Sequence, residues 1–347
     1  MAYTTINKSS LHFTPKLWTG TGAENAITGV GFQPDWVWIK NRDAAENHKL
    51  YDAVRGANKV IYSNLTNAEA TVTQDVKSFD SDGYTLGTES AVNASGQDIV
   101  GWNWKMNGAG SSNSDGSVTS TVSVNSTAKM SIVKFAGTGA NATVGHGLGV
   151  APNVILIKNM DASQNWFVFH KGMYDTDSSA YINLNTTDGK SQSNNVFNGT
   201  APTSSVFTIG VTFSNGQNLI AYCFADLTGF FNSGIYTGNG NANGSFMYTG
   251  FKPEFIIMKQ YGANGQGWFM KTNSLNARVG NPNDYFLSAH TTNAENTSTS
   301  FQIDMVSNGF KLRNTDGICN TNGSSYLYMA WASAPLVGSN NIPATAR

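Results

Sequence analysis

Five histidines, two cysteines and eight tryptophans hold most of the chemistry this chain could perform. None of His12, His48, His146, His170 and His290 sits at the short spacing by which two imidazoles share a metal. His146, in Gly145-His146-Gly147, would need a neighbouring nucleophile and an orienting acid to act as a base. Neither accompanies it, so it reads as a loop histidine without a role. Asp80-Ser81-Asp82-Gly83 opens like a calcium loop, yet residues 84–91 supply only Glu89 as a further acid. It reads as a turn, and Asp175 and Asp177 are treated with the same caution. Gly20-Thr21-Gly22 lacks the Gly-Lys-Ser/Thr and the helix start of a phosphate loop, and reads as a tight turn. Of the tryptophans (18, 36, 38, 102, 104, 166, 268 and 331), the pairs Trp36 with Trp38 and Trp102 with Trp104 could stack on sugar rings. They lie in the most strand-like segments, which assigns them to a core. No carboxylate pair recurs beside an aromatic platform to hydrolyse a glycoside. No catalytic, cofactor-binding or metal-ligating residue is assigned.

The elements that would position these side chains come in three copies. Gly20 and Gly22 precede Pro34, the apolar run Trp36-Val37-Trp38-Ile39 and Lys40. The order returns as Gly137, Gly139, Pro152, Val154-Ile155-Leu156-Ile157 and Lys158. It returns again as Gly238, Gly240, Pro253, Phe255-Ile256-Ile257-Met258 and Lys259. Intervals of roughly 100 to 120 residues are too long for solenoid repeats and match small domains. A lysine repeated at a strand end suits a charge that reaches solvent or caps neighbouring carbonyls. Closing aromatics recur at Trp104, Phe224 and Trp331.

Short β-branched and aromatic runs separated by Gly/Asn turns predict an all-β chain of three tandem homologous β-sandwich-like domains, jelly-roll or lectin-like. The expected divisions are residues 1–107 with an N-terminal lead-in, a Gly/Ser linker over 108–128, then 129–228, 229–335 and a tail over 336–347. The expected core holds Trp36, Trp38, Ile39, Trp104, Ile155, Ile157, Phe224, Ile256, Met258 and Trp331. The three repeats read as homologous beads, whose packing in a line or a ring is not set by their sequence.

Charged residues make up 12% of the chain and the net charge is −1, so no field draws it to nucleic acid or anionic lipid. No apolar run approaches the ~20 residues of a membrane-spanning helix. Met1-Ala2-Tyr3-Thr4-Thr5 lacks the pattern of a signal peptide, which predicts folding in a cytosol. Cys223 is expected to be buried and Cys319, in an Asn/Gly-rich turn, exposed. Two cysteines cannot staple three domains.

Several blocks are similar to segments of marine bacteriophage virion structural proteins. They are Ala26 to Asp43, Tyr51-Asp52-Ala53-Val54-Arg55-Gly56, Ser78 to Gly87, Val100-Gly101-Trp102-Asn103-Trp104-Lys105, and the tail from Pro335 to Arg347. The resemblance spans essentially the whole chain. It implies a non-enzymatic structural protein, exposed on a virion assembled in the host cytoplasm. Its expected partners are other tail or capsid proteins, further copies of itself and a host-surface glycan. A tail fibre or receptor-binding appendage is the leading expectation, with a head decoration protein beside it. A tailspike depolymerase and a free carbohydrate-binding module are the competing classes.

Overall fold

The computed structural model describes residues 4–275 and 281–334. The first repeat contains β1 (Phe13–Thr19), β2 (Asn25–Ile27), β3 (Trp36–Asn41), β4 (Lys49–Asp52), β5 (Gly56–Tyr62), β6 (Ala70–Thr71), β7 (Val76–Asp80), β8 (Gly83–Leu86) and β9 (Asp98–Trp104). The second contains β10 (Ser111–Asn113), β11 (Ser120–Asn125), β12 (Met130–Ala136), β13 (Ala142–Gly145), β14 (Val154–Asn159), β15 (Phe167–His170), β16 (Ala180–Asn183), β17 (Ser191–Gln192), β18 (Val206–Ile209) and β19 (Asn218–Phe224). The third contains β20 (Phe231–Thr237), β21 (Phe246–Tyr248), β22 (Pro253–Gln260), β23 (Trp268–Thr272), β24 (Leu287–Ser288), β25 (Ile303–Val306), β26 (Gly309–Leu312) and β27 (Ser325–Ala332). Helices are single turns, such as α1 (Ser90–Asn93). The protein is all-β, built from several antiparallel sheets.

One strand order is used three times. The large sheets run β1-β9-β3-β4-β5-β6, β10-β11-β12-β19-β14-β15-β16-β17 and β20-β27-β22-β23-β24. In each, the opening strand pairs with the closing strand, which pairs with the Pro-led central strand. Small sheets accompany them: β2-β8-β7, β13-β18 and β21-β26-β25.

Alternation along the central strand sorts its residues between two cores. Val37 and Ile39 pack with Ile27, Tyr84 and Leu86 of the adjoining small sheet. Ile155 and Ile157 do the same with Val144 and Phe207, and Ile256 and Met258 with Met247 and Phe310. The opposite faces contribute Trp36 and Trp38, Val154 and Leu156, and Phe255 and Ile257 to one cluster drawn from all three repeats. All ten residues of the expected core are buried. Seven of the eight tryptophans are fully buried, and Trp18 is partly exposed.

That common cluster joins the three repeats, which close on one another. Tyr222 donates its hydroxyl to Asp52 at 2.7 Å, joining the second repeat to the first. The Trp102 indole donates to Thr272 Oγ1 at 2.9 Å, joining the first to the third. His170 Nε2 meets the Tyr328 carbonyl at 3.2 Å, joining the second to the third. The axis is aromatic: Trp36 stacks on Trp104 at 4.1 Å and on Tyr222 at 4.3 Å, and Phe255 stacks on Trp331 at 5.3 Å.

Residues 108–128, expected as a linker, are a correction. β11 pairs with β12, Thr121 opposite Lys134 through Asn125 opposite Met130, and β10 pairs with β11. Val122 joins the second repeat's core, so apolar burial orders a segment whose composition suggests none. The expected tail over 336–347 lies outside the described residues.

Candidate functional site

The repeated glycine pairs are turn devices. A Cβ on Gly20 would lie 2.1 Å from the Ala94 carbonyl oxygen, and on Gly137 and Gly238 it would meet the Ser214 and Thr321 carbonyl oxygens at 2.5 and 2.4 Å. Gly22, Gly139 and Gly240 have φ of +70°, +68° and +62°, a region costly for residues with a side chain.

The repeated lysines cap carbonyls without reaching solvent. Lys40 Nζ donates to Asn41 and Ala44. Lys158 Nζ donates to Gln164 and, across the junction, to Thr66 at 2.8 Å. Lys259 Nζ donates to Gln260, Gln266 and, across the next junction, Thr187. All three side chains are buried, and burial lowers each ammonium to about 8. Lys158 and Lys259 tie loops across two junctions, while Lys40 holds a loop within the first repeat.

The histidines are scattered through the body. His48 accepts the Trp38 indole N–H at 2.9 Å. His146 is buried, accepts from Leu148 N at 3.2 Å and meets the Thr203 carbonyl. His290 accepts from Trp268 N, and His12 meets Asn125. Among the described residues no three His, Cys, Asp or Glu side chains gather to hold a metal ion. Asp82 accepts backbone N–H groups from Gly29 and Gly31, which ties the turn before β8 to the loop before β3. Asp177 holds Ser179, Gln192 and Lys190, and these bonds lower its carboxyl to about 2. Cys319 corrects the expectation of exposure: the short helix Gly317–Asn320 buries it against Asn314, and burial pushes its thiol to about 12. Cys223 is buried as expected.

The third repeat differs from the others on its outer face. β21 exposes Phe246 at 46% and Tyr248 at 63%, with Met247 between them buried. Phe246 lies opposite Lys311 and Tyr248 opposite Gly309. The Phe246 ring lies over Gly309, where a Cβ would be 2.9 Å from its Cζ. Asp304 sits opposite Lys311 on the other side and pairs with Arg313 at 3.2 Å. Past the end of β26, Arg313, Asn314, Thr315 and Asp316 line an open polar groove of about 380 Å³ with Ala242, Thr299 and Ser300.

Register identifies the same positions in the other repeats. Ile27, Val144 and Met247 are buried and lie opposite the buried aromatics Tyr84, Phe207 and Phe310. The positions flanking them are Ala26 and Thr28 in the first repeat, and Thr143 and Gly145 in the second. An aromatic pair where both other copies hold small residues was the available sequence signal. Attention to tryptophan alone misses it, and the structure buries the tryptophan pairs.

A family model described as a domain of unknown function matches residues 8–335. No curated protein and no solved structure matches the chain.

Proposed function

The chain belongs to that family, DUF7483, and from this premise we propose that it is a non-enzymatic structural protein of a bacteriophage particle. It is displayed on the particle surface as a tail-fibre or receptor-binding appendage. The observation that carries this reading is the closed body of three repeats in which the β21 positions of the third copy carry exposed aromatics. Two copies keep small side chains at positions where the third presents Phe246 and Tyr248. A rigid scaffold with one distinct outer face suits adhesion, since binding residues are carried on surfaces that the core holds in place. Similarity of several blocks to phage virion proteins supports the setting. In this reading the repeats are jelly-roll or lectin-like sandwiches, and the partners are other virion proteins, further copies of the chain and a host-surface glycan.

A head decoration protein is the second reading, favoured by the compact ring of the described residues. Gold-labelled antibody on purified virions separates the two. Label at the tail is the expected result, label over the head selects decoration, and bare particles overturn the virion assignment. Release of reducing sugar from host polysaccharide would overturn the non-enzymatic part.

A further inference from the structure

We propose that Phe246 and Tyr248, with Lys311 and Asp304 beside them, form a stacking platform for a pyranose ring of a host-surface glycan. The inference rests on the adhesion reading above and names its ligand.

The argument begins with side-chain direction. Residues two apart on a strand share a face, so both rings project outward around the buried Met247. Aromatic faces carry partial negative charge, and the axial C–H bonds of a pyranose present a matching positive, apolar surface. Gly309, opposite Tyr248, has no side chain, and this lets the Phe246 ring lie down over the strand beside it. Lys311 offers donors and Asp304 acceptors to sugar hydroxyls one and two strands away. Farther along the same strand direction, Arg313 and Asp316 both line the groove, where a second sugar unit finds both signs of charge.

Area decides between a sugar and a protein as occupant. At about 150–250 Å² per aromatic side chain, the exposed fractions leave roughly 200 Å² open. A standard protein interface needs about 800 Å² on each partner. β21 is also only three residues long, a poor edge for pairing with another copy. One or two sugar rings fit the area that is present.

The test uses the full chain on an array of bacterial O-chain and capsular oligosaccharides and β-linked hexose disaccharides. Wild type is compared with Phe246→Ala/Tyr248→Ala, with the ring-retaining swap Phe246→Tyr/Tyr248→Phe, and with Ala26→Ser/Thr28→Ser in the first repeat. We expect wild type to bind at least one glycan, the ring-deleted variant to lose about tenfold or more in affinity, and the other two variants to bind normally. Melting temperatures should be unchanged in all four proteins, since the altered side chains are exposed. Binding that survives ring deletion, or no glycan bound by wild type, would overturn the platform. So would a change in sedimentation mass on ring deletion, which would make the face a contact between copies. Ring-dependent binding by a chain that never labels virions supports the platform and removes the virion reading. Labelled virions with no glycan binding do the reverse.

Discussion

At the junction between the second and third repeats, His170 accepts the Gly172 N–H at Nδ1 and donates from Nε2 to the Tyr328 carbonyl. Acceptance at Nδ1 requires the neutral ring, and burial lowers its pKa to about 4. An unfolded histidine titrates near 6.5. Between about 6.5 and about 4 the unfolded chain therefore takes up a proton that the folded chain refuses. Stability is complete above this window and falls as pH drops through it, by up to ~3 kcal/mol from this residue. Urea unfolding at pH 7 and pH 4.5 should show the loss, and His170→Asn should reduce it; equal losses in both proteins would reject the assignment. Arg55 presents a second residue-scale case. Its guanidinium is buried, pairs with Asp52 at 2.5 Å, and shares that carboxylate with the Tyr222 hydroxyl. Removing one partner of such a pair strands the other charge, so Arg55→Met should cost about 3–5 kcal/mol by urea denaturation. A loss below 1 kcal/mol, as for exposed pairs, would show that solvent reaches Asp52.

Among the elements, the glycine pair after each opening strand makes the sharpest prediction. Gly20→Ala drives a Cβ into the Ala94 carbonyl, and backbone must move to admit it. Gly22→Ala meets no such backbone oxygen, its nearest neighbour being the Ser95 Cβ at 3.3 Å, and costs about 1–2 kcal/mol from its left-handed conformation. Thermal melts should rank Gly20→Ala as the more damaging, and the reverse order would refute the close approach. These turns and the central strands were legible in the chain because their signals are local: glycines at fixed places, and apolar runs that end at a lysine. β11 was hidden. Its pattern, Val122 and Val124 alternating with the polar residues Thr121, Ser123 and Asn125, follows Gly108, Gly110 and Gly116, and the glycines dominate the composition. The second cover of the central strands was illegible for another reason. Trp36-Val37-Trp38-Ile39 announces burial on both faces, but nothing local tells that Trp36 faces Tyr222 of another repeat. The outward pair Phe246 and Tyr248 needed the repeats aligned strand by strand, which register supplies and spacing alone does not.

For the whole molecule, the shared core sets the unit of unfolding. Trp104 touches Phe13 and Trp36 in its own repeat and Phe255 and Trp331 in the third. Trp104→Ala should cost about 3–5 kcal/mol and lower the melting of all three repeats together. Calorimetry of the intact protein should show one transition with equal calorimetric and van't Hoff enthalpies. Three resolved transitions would mean that the repeats unfold independently. The isolated segment 1–107 should fail to fold, because Trp36, Trp102 and Trp104 would lose cover from Tyr222, Phe255 and Trp331.

The stacked indoles of Trp36 and Trp104, 4.1 Å apart and inclined by 26°, also make the centre of the ring optically distinctive. Transition dipoles at that separation couple, so the pair should give an exciton couplet in circular dichroism that no isolated tryptophan produces. Trp36 and Trp104 lie opposite each other on β3 and β9, so the couplet reports the pairing of these strands within the first repeat. Its growth during refolding would time the formation of the first repeat's large sheet, apart from the sheets of the other two repeats.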